Sequence, residues 1–126
     1  KVTAVDAGTL SPQRRAVLQV SRALCQDFSP SISSIEAAQI PPASQRVRTA
    51  GLYNRGTGQM YVALEQLDRG KSAIDTVIHE MAHHTSGADD GELAHAEEIK
   101  NLAGKVVASV ASRKYDALLK NPEFTW

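Results

Sequence analysis

A single cysteine, Cys25, stands among the 126 residues. Without a second thiol, an intrachain disulfide and a cysteine-built metal site are both excluded, and a reducing, cytoplasmic compartment is the expected setting. No apolar run approaches the ~20 residues needed to cross a bilayer, so no membrane partner is expected. No secretory leader is visible in these residues; the chain begins with Lys1, not Met, and reads as a processed form or a domain excised from a longer protein. Net charge is also lacking, since 14 basic and 14 acidic side chains cancel. That balance argues against nucleic acid as the main partner. Hydrophobic residues at 42% and charged residues at 22% are ordinary for a globular protein, and the length suits one domain, residues 1–126, with one core.

One local absence is informative. From Ser72 to Ile99 there is no Lys or Arg, while Asp75, Glu80, Asp89, Asp90, Glu92, Glu97 and Glu98 all fall there. A negative field of this kind favours a bound cation and a basic substrate. A solvated acidic turn and helix start would leave the same trace.

Along the chain, Ser11-Pro12 reads as an N-cap followed by the first helical position. Val17, Val20, Leu24 and Phe28 recur at helical spacing until Ser29-Pro30. Ile32, Ile35 and Ile40 suit a short strand ended by Pro41-Pro42. Arg46 to Tyr53 and the alternating Gln59 to Leu64 form a hairpin about Asn54-Arg55-Gly56-Thr57-Gly58. Ser72, with Asp75 three residues on, predicts a capping box opening a second helix; Ile74, Val77, Ile78 and Met81 form its buried side, and Gly87 closes it in a left-handed conformation. Asp89 or Asp90 is expected to cap a last helix. That helix runs to about Leu119, with Ile99, Leu102, Val106 and Val110 as its apolar stripe. The predicted class is α+β: an N-terminal helix, a small antiparallel sheet, and two further helices.

The second helix carries His79-Glu80-Met81-Ala82-His83. At ~100° per residue, His79 and His83 lie about 40° apart around the helix and one turn apart along it, so both imidazoles can face one ion. Zinc accepts imidazole nitrogen and, in catalytic sites, commonly keeps three protein ligands and one open position. Glu80 lies about 60° from His83, placed to take a proton from water that the metal acidifies. His84, roughly 140° from His79, faces elsewhere. A His-Glu-x-x-His pattern also arises by chance, but here it falls in a segment already read as helix, between a start signal and a glycine stop.

A third ligand must come from outside the motif. On the last helix Ile99, Leu102 and Val106 all project within ~40° of His95, so His95 heads a stripe that faces the core. A buried imidazole needs a partner, and the motif helix, a short turn away, offers one. His95 is therefore the expected third ligand. A core histidine bonded to a backbone carbonyl is the plainer alternative, and Glu98, Asp89 and Asp90 are other candidates for the ligand.

The run from Val77 to Asp90, Val-Ile-His-Glu-Met-Ala-His-His-Thr-Ser-Gly-Ala-Asp-Asp, resembles the zincin metallopeptidases. It is most similar to small bacterial and phage zincin-like domains, over about residues 57–100. The resemblance implies a minimal zincin-like fold, one zinc ion, Glu80 as general base, and a strand bordering the cleft that pairs with an extended peptide, for which Gln59 to Leu64 is the candidate. A Tyr, His or Arg is also implied to stabilise the oxyanion, with Tyr53, Tyr61, Tyr115, Arg55 and His84 available. The subfamilies differ in the third ligand. A metzincin-like site would take Asp89, although Ser86 replaces that group's glycine; a gluzincin-like site would take Glu98; a SprT-like site would take His95, with Ile99 where an aromatic residue is usual.

The leading expectation is thus a zinc metallopeptidase acting on a peptide or protein. The alternatives are a non-catalytic module that keeps the metal behind a fourth protein ligand, and a nucleic-acid-associated SprT-like peptidase. The last would use Arg14, Arg15, Arg22, Arg46, Arg48 and Arg55, which read more simply as a solvated face.

Overall fold

The computed structural model describes all 126 residues. Ser11 caps α1 (Pro12–Phe28), its hydroxyl accepting from the Arg14 N–H at 3.2 Å with Pro12 in the first turn. The buried face of α1 includes Val17, Leu18, Val20 and Leu24, and encloses Cys25. Burial pushes the Cys25 thiol up to about 12.

Four strands form one sheet, β1 (Thr3–Val5) before α1 and β2 (Ser34–Gln39), β3 (Gly51–Asn54) and β4 (Gln59–Ala63) after it, in the order β1-β2-β4-β3. The expected hairpin is β3–β4, which pair antiparallel. Its turn is held by Asn54 Oδ1, which accepts from the Gly56 and Thr57 N–H groups. Gly58 supplies the left-handed residue at φ 73°. The preceding strand is shorter than expected, starting at Gly51 instead of Arg46. The sheet is mixed instead of antiparallel, because β2 runs parallel to β4 while β1 pairs antiparallel with β2. Placing β4 in the interior lets Met60 and Val62, both fully buried, meet the core below it. A 3-10 turn, Leu64–Asp68, then leads into the second helix.

α2 (Gly70–Ser86) does not use the predicted capping box. Ser72 lies inside the helix, no side chain caps its start, and Asp75 pairs instead with Lys71 at 2.7 Å. The free N–H groups of Gly70 and Lys71 donate to the carbonyls of Thr125 and Trp126, at 2.6 and 3.2 Å. The C-terminal residues therefore satisfy the helix start with backbone oxygen, and Gly70 is required because a Cβ there would stand 2.3 Å from the Phe124 ring. At the other end Gly87, at φ 70°, terminates α2 as expected.

α3 (Leu93–Ala111) begins after Glu92, so neither Asp89 nor Asp90 caps it. It also ends eight residues short of Leu119. The backbone turns at Arg113 (φ 68°) before a short α4 (Asp116–Leu119). This break lets Tyr115 enter the core, 4% exposed, with its hydroxyl donating to Asp27 Oδ2 on α1 at 2.6 Å. The core joins α1, the sheet, α2 and α3 through Leu24, Met60, Leu67, Val77, Met81 and Leu102. The architecture is α+β, and no helix is long and apolar enough to cross a membrane.

Candidate metal centre

The apolar side of α2, with Val77, Met81 and Ala82 at 0% exposure, locks the helix rotation. That rotation turns His79, Glu80 and His83 towards β3. α3 packs on α2 after the turn through Gly87 and Gly91, and Leu102 and Val106 seat its stripe in the core. His95 heads that stripe, 3% exposed, and meets the two motif histidines. The ring centroids of His79 and His95 are 4.7 Å apart, and the His83 and His95 rings stack at 3.9 Å.

His79, His83, His95 and Asp90 form a group able to hold a metal ion, with one ligand atom from each lying within 4.8 Å of the others. Asp90 Oδ1 is 2.9 Å from His79 Nε2, 2.9 Å from His83 Nε2 and 3.9 Å from His95 Nδ1. These separations bracket the ~3.3 Å expected between neighbouring donors of a tetrahedral site with ~2.0 Å bonds.

The outer contacts also fit a cation. His83 Nδ1 lies 2.8 Å from the Ala88 carbonyl, and His95 Nε2 lies 3.1 Å from the His79 carbonyl. A carbonyl only accepts, so the proton of each neutral ring belongs on that nitrogen. His83 Nε2 and His95 Nδ1 then present lone pairs to the Asp90 carboxylate, acceptor facing acceptor. A metal ion among them removes that conflict, and backbone carbonyls fixing the tautomer of ligating histidines are a usual second layer of such sites. His95 thus combines both sequence readings: it bonds a backbone carbonyl and turns its other nitrogen to the cluster. Desolvation would raise the Asp90 carboxyl, but His79 at hydrogen-bond distance holds it below the usual carboxylate range.

The remaining candidates are occupied elsewhere. Glu98 accepts from Thr85 Oγ1 at 2.6 Å and Asn101 Nδ2 at 2.8 Å, and Asp89 pairs with Arg55 at 2.7 Å. Neither joins the metal group. Asp90 does join it, brought there by a turn with no fixed ligand spacing.

Glu80 is 8% exposed, and no protein hydrogen bond reaches its carboxylate. Burial pushes it up to about 7, with His83 and His95 pulling down and Asp90 adding to the rise. It lines a cleft of about 780 Å3 with His79, His83 and Asp90 on one side and residues 47–53 on the other. Gly51 allows the close approach of the two sides, since a Cβ there would stand 2.5 Å from Thr76 Cγ2 and 3.3 Å from Glu80 Cγ.

The strand bordering this cleft is β3. β4, expected to receive a peptide, is paired with β2 on one side and β3 on the other, so its backbone has no free edge. β3 is an edge strand, as β1 is on the far side of the sheet. Of the five oxyanion candidates, Tyr53 and Arg55 line the cleft. Tyr61 donates to Gln59, and Tyr115 is committed to Asp27. His84 lies outside the metal group and bridges Tyr53, whose hydroxyl is 2.5 Å from Nδ1, to Ser31, 2.6 Å from Nε2. Arg14 and Arg22 pair with Asp68 and Glu36, and Arg15 binds backbone carbonyls, so these form no free basic patch.

Comparison with known proteins supplies no relative: no family model matches the chain, and neither a curated protein nor a solved structure does so.

Proposed function

We propose that the protein is a zinc-dependent peptidase, with His79, His83 and His95 holding the ion and Glu80 as general base. The observation that carries this reading is the convergence of three histidines on one face, beside a buried, unpartnered carboxylate, at the floor of an open cleft. Imidazole donors favour zinc over calcium or magnesium, which prefer oxygen. When bound, the ion supplies Lewis acidity that polarises a carbonyl and makes water a nucleophile near neutral pH.

The chain's own residues do the rest. Glu80 accepts the proton of the attacking water and delivers it to the leaving amine. A cation beside Glu80 would lower its pKa from the raised value, leaving it ionised and able to act as the base. Tyr53, held by His84, donates a hydrogen bond to the developing oxyanion. An extended peptide pairs with the free edge of β3, which takes over the role expected of residues 59–64. The lone buried Cys25 suits a reducing, cytoplasmic setting.

The test is metal content followed by cleavage. About one zinc per chain is expected in the wild type and in Glu80→Gln, and loss of zinc in His79→Ala and His95→Ala. Digestion of a mixed peptide library should require zinc and stop in Glu80→Gln. Zinc-loaded wild type that cleaves no peptide in that library would refute the peptidase assignment. A second reading, a non-catalytic metal module, is favoured by the position of Asp90 Oδ1, which would complete four protein donors.

A further inference from the structure

Asp90 stands where a substrate atom would have to arrive. It belongs both to the metal group and to the lining of the cleft. Its Oδ1 touches His79 Nε2 and His83 Nε2, both at 2.9 Å, and faces His95 Nδ1 from the open side of the three-histidine cluster. With it in place, four donors surround the position of the ion, and a tetrahedral centre has no vacancy.

The hold on Asp90 is slight. Three quarters of its side chain is exposed, and its one side-chain hydrogen bond is to His79. It sits between Gly87 and Gly91, both at positive φ, 70° and 80°. The anchors of the turn lie to either side of it. Arg55 Nη2 donates to Ala88 O at 2.8 Å and to Asp89 Oδ1 at 2.7 Å, and Glu92 accepts from the Asp89 N–H at 2.7 Å. The turn is thus fastened at residues 88, 89 and 92, while residue 90 has no such anchor and is followed by a glycine. Arg55 follows directly on β3, so the strand edge and the turn that carries Asp90 share one fastening.

We propose that Asp90 is an internal, displaceable fourth ligand that keeps the metal closed until an incoming oxygen donor takes its place. This rests on the metal site proposed above. It unites the two readings of that site: the closed four-donor form is the resting state, and the open three-histidine form is the one that receives substrate. The exposed carboxylate swings to solvent on leaving, so its departure buries no charge. The apparent affinity of any external ligand is lowered by the fraction of time Asp90 spends away; an occupancy of about nine-tenths lowers it about tenfold.

Cobalt(II) in place of zinc makes the exchange visible in its ligand-field absorption. The full chain is loaded with cobalt as wild type, Asp90→Ala and Asp90→Asn, and each is titrated with acetohydroxamate, a small bidentate oxygen donor. Both variants should bind cobalt at one per chain, with an absorption spectrum distinct from that of the wild type. They should take up acetohydroxamate about tenfold more tightly, and the wild type should reach the variants' hydroxamate-bound spectrum at higher concentration. Identical spectra and identical hydroxamate affinities in all three proteins would show that Asp90 is no ligand. A wild type that never yields to hydroxamate, beside variants that do, would make Asp90 a permanent ligand and overturn displacement. Wild-type chain that takes up no cobalt would instead sink the metal site itself. Asp90→Asn keeps the side-chain shape, so agreement between the two variants separates ligation from any effect on the turn.

Discussion

Replacing Gly51 by alanine tests how closely β3 and α2 must approach to form the cleft. The added methyl carbon would lie 2.5 Å from Thr76 Cγ2, 3.0 Å from the Tyr61 carbonyl oxygen and 3.3 Å from Glu80 Cγ. Carbon atoms at rest sit ~3.5–4.0 Å apart, so the first contact is about 1 Å too short. Thr76 is 7% exposed and β-branched on a helix, with little rotameric freedom to withdraw. The clash therefore has to be relieved by moving the edge strand away from the helix. Overpacking of this kind costs ~1–3 kcal/mol, and replacing a strand glycine returns roughly 0.5–1 kcal/mol of backbone entropy. A net loss of about 1–2 kcal/mol is expected. Urea titration should show it as a lower midpoint at unchanged slope, and heating as a fall of roughly 3–6 °C per kcal/mol for a domain of this length. Thr76→Ser deletes the nearest offending atom, so the double variant should recover about 1 kcal/mol of the loss as a coupling energy between contacting residues. The Tyr61 carbonyl remains, so recovery should be incomplete. If Gly51→Ala is as stable as the wild type, or if Thr76→Ser fails to restore any of the loss, close packing at Gly51 is not what sets the width of the cleft.

Two further outcomes follow from individual side chains. The Cys25 thiol has a folded-state value raised to about 12, against ~8.5 in an unfolded chain. The unfolded state therefore loses its proton first, and stability should fall between those values by up to ~1.4 kcal/mol per pH unit. Cys25→Ala should flatten that part of the stability profile, and an unchanged alkaline slope would contradict the burial argument. Tyr53→Phe removes the hydroxyl that faces His84. Under the proposed peptidase mechanism it should lower kcat about 10- to 100-fold, with zinc content and KM nearly unchanged. A full rate in Tyr53→Phe would reassign oxyanion stabilisation to Arg55.

Local chemistry was readable wherever a side chain acts on its own neighbours along the chain. The Ser11 cap, the Asn54–Gly58 turn and the Gly87 stop each depend on residues within a few positions of one another, and each forms as the sequence indicates. The same holds for the shared face of His79, Glu80 and His83, which helical periodicity alone dictates. The start of α2 is not legible locally because its true partners, the carbonyls of Thr125 and Trp126, lie more than fifty residues away. Ser72-Asp75 offered a local cap that distant backbone oxygen replaced. The break at Arg113 was invisible for a similar reason: the helix ends where Tyr115 must turn to reach Asp27, a contact across most of the chain.

Strand order was beyond the reach of pattern as well. Alternation shows which face of Gln59 to Ala63 is buried but not which strands lie beside it, so it cannot tell that β3, not β4, carries the edge beside the cleft. In the metal group, periodicity placed His95 at the head of the α3 stripe, but only the packing of α3 on α2 brought it to the other two histidines. Asp90 carries no periodic signal at all. Its position follows from the turn between two packed helices, where the backbone path is set by glycine conformations and by Arg55 reaching across from the sheet. The sequence by itself thus determined the α+β class, the histidine helix and the buried side that orients it, because these arise from interactions along one element. The tertiary structure alone decided which strand faces the cleft, which acidic residue joins the histidines and how the motif helix begins, because each depends on atoms that come together only when separate elements pack.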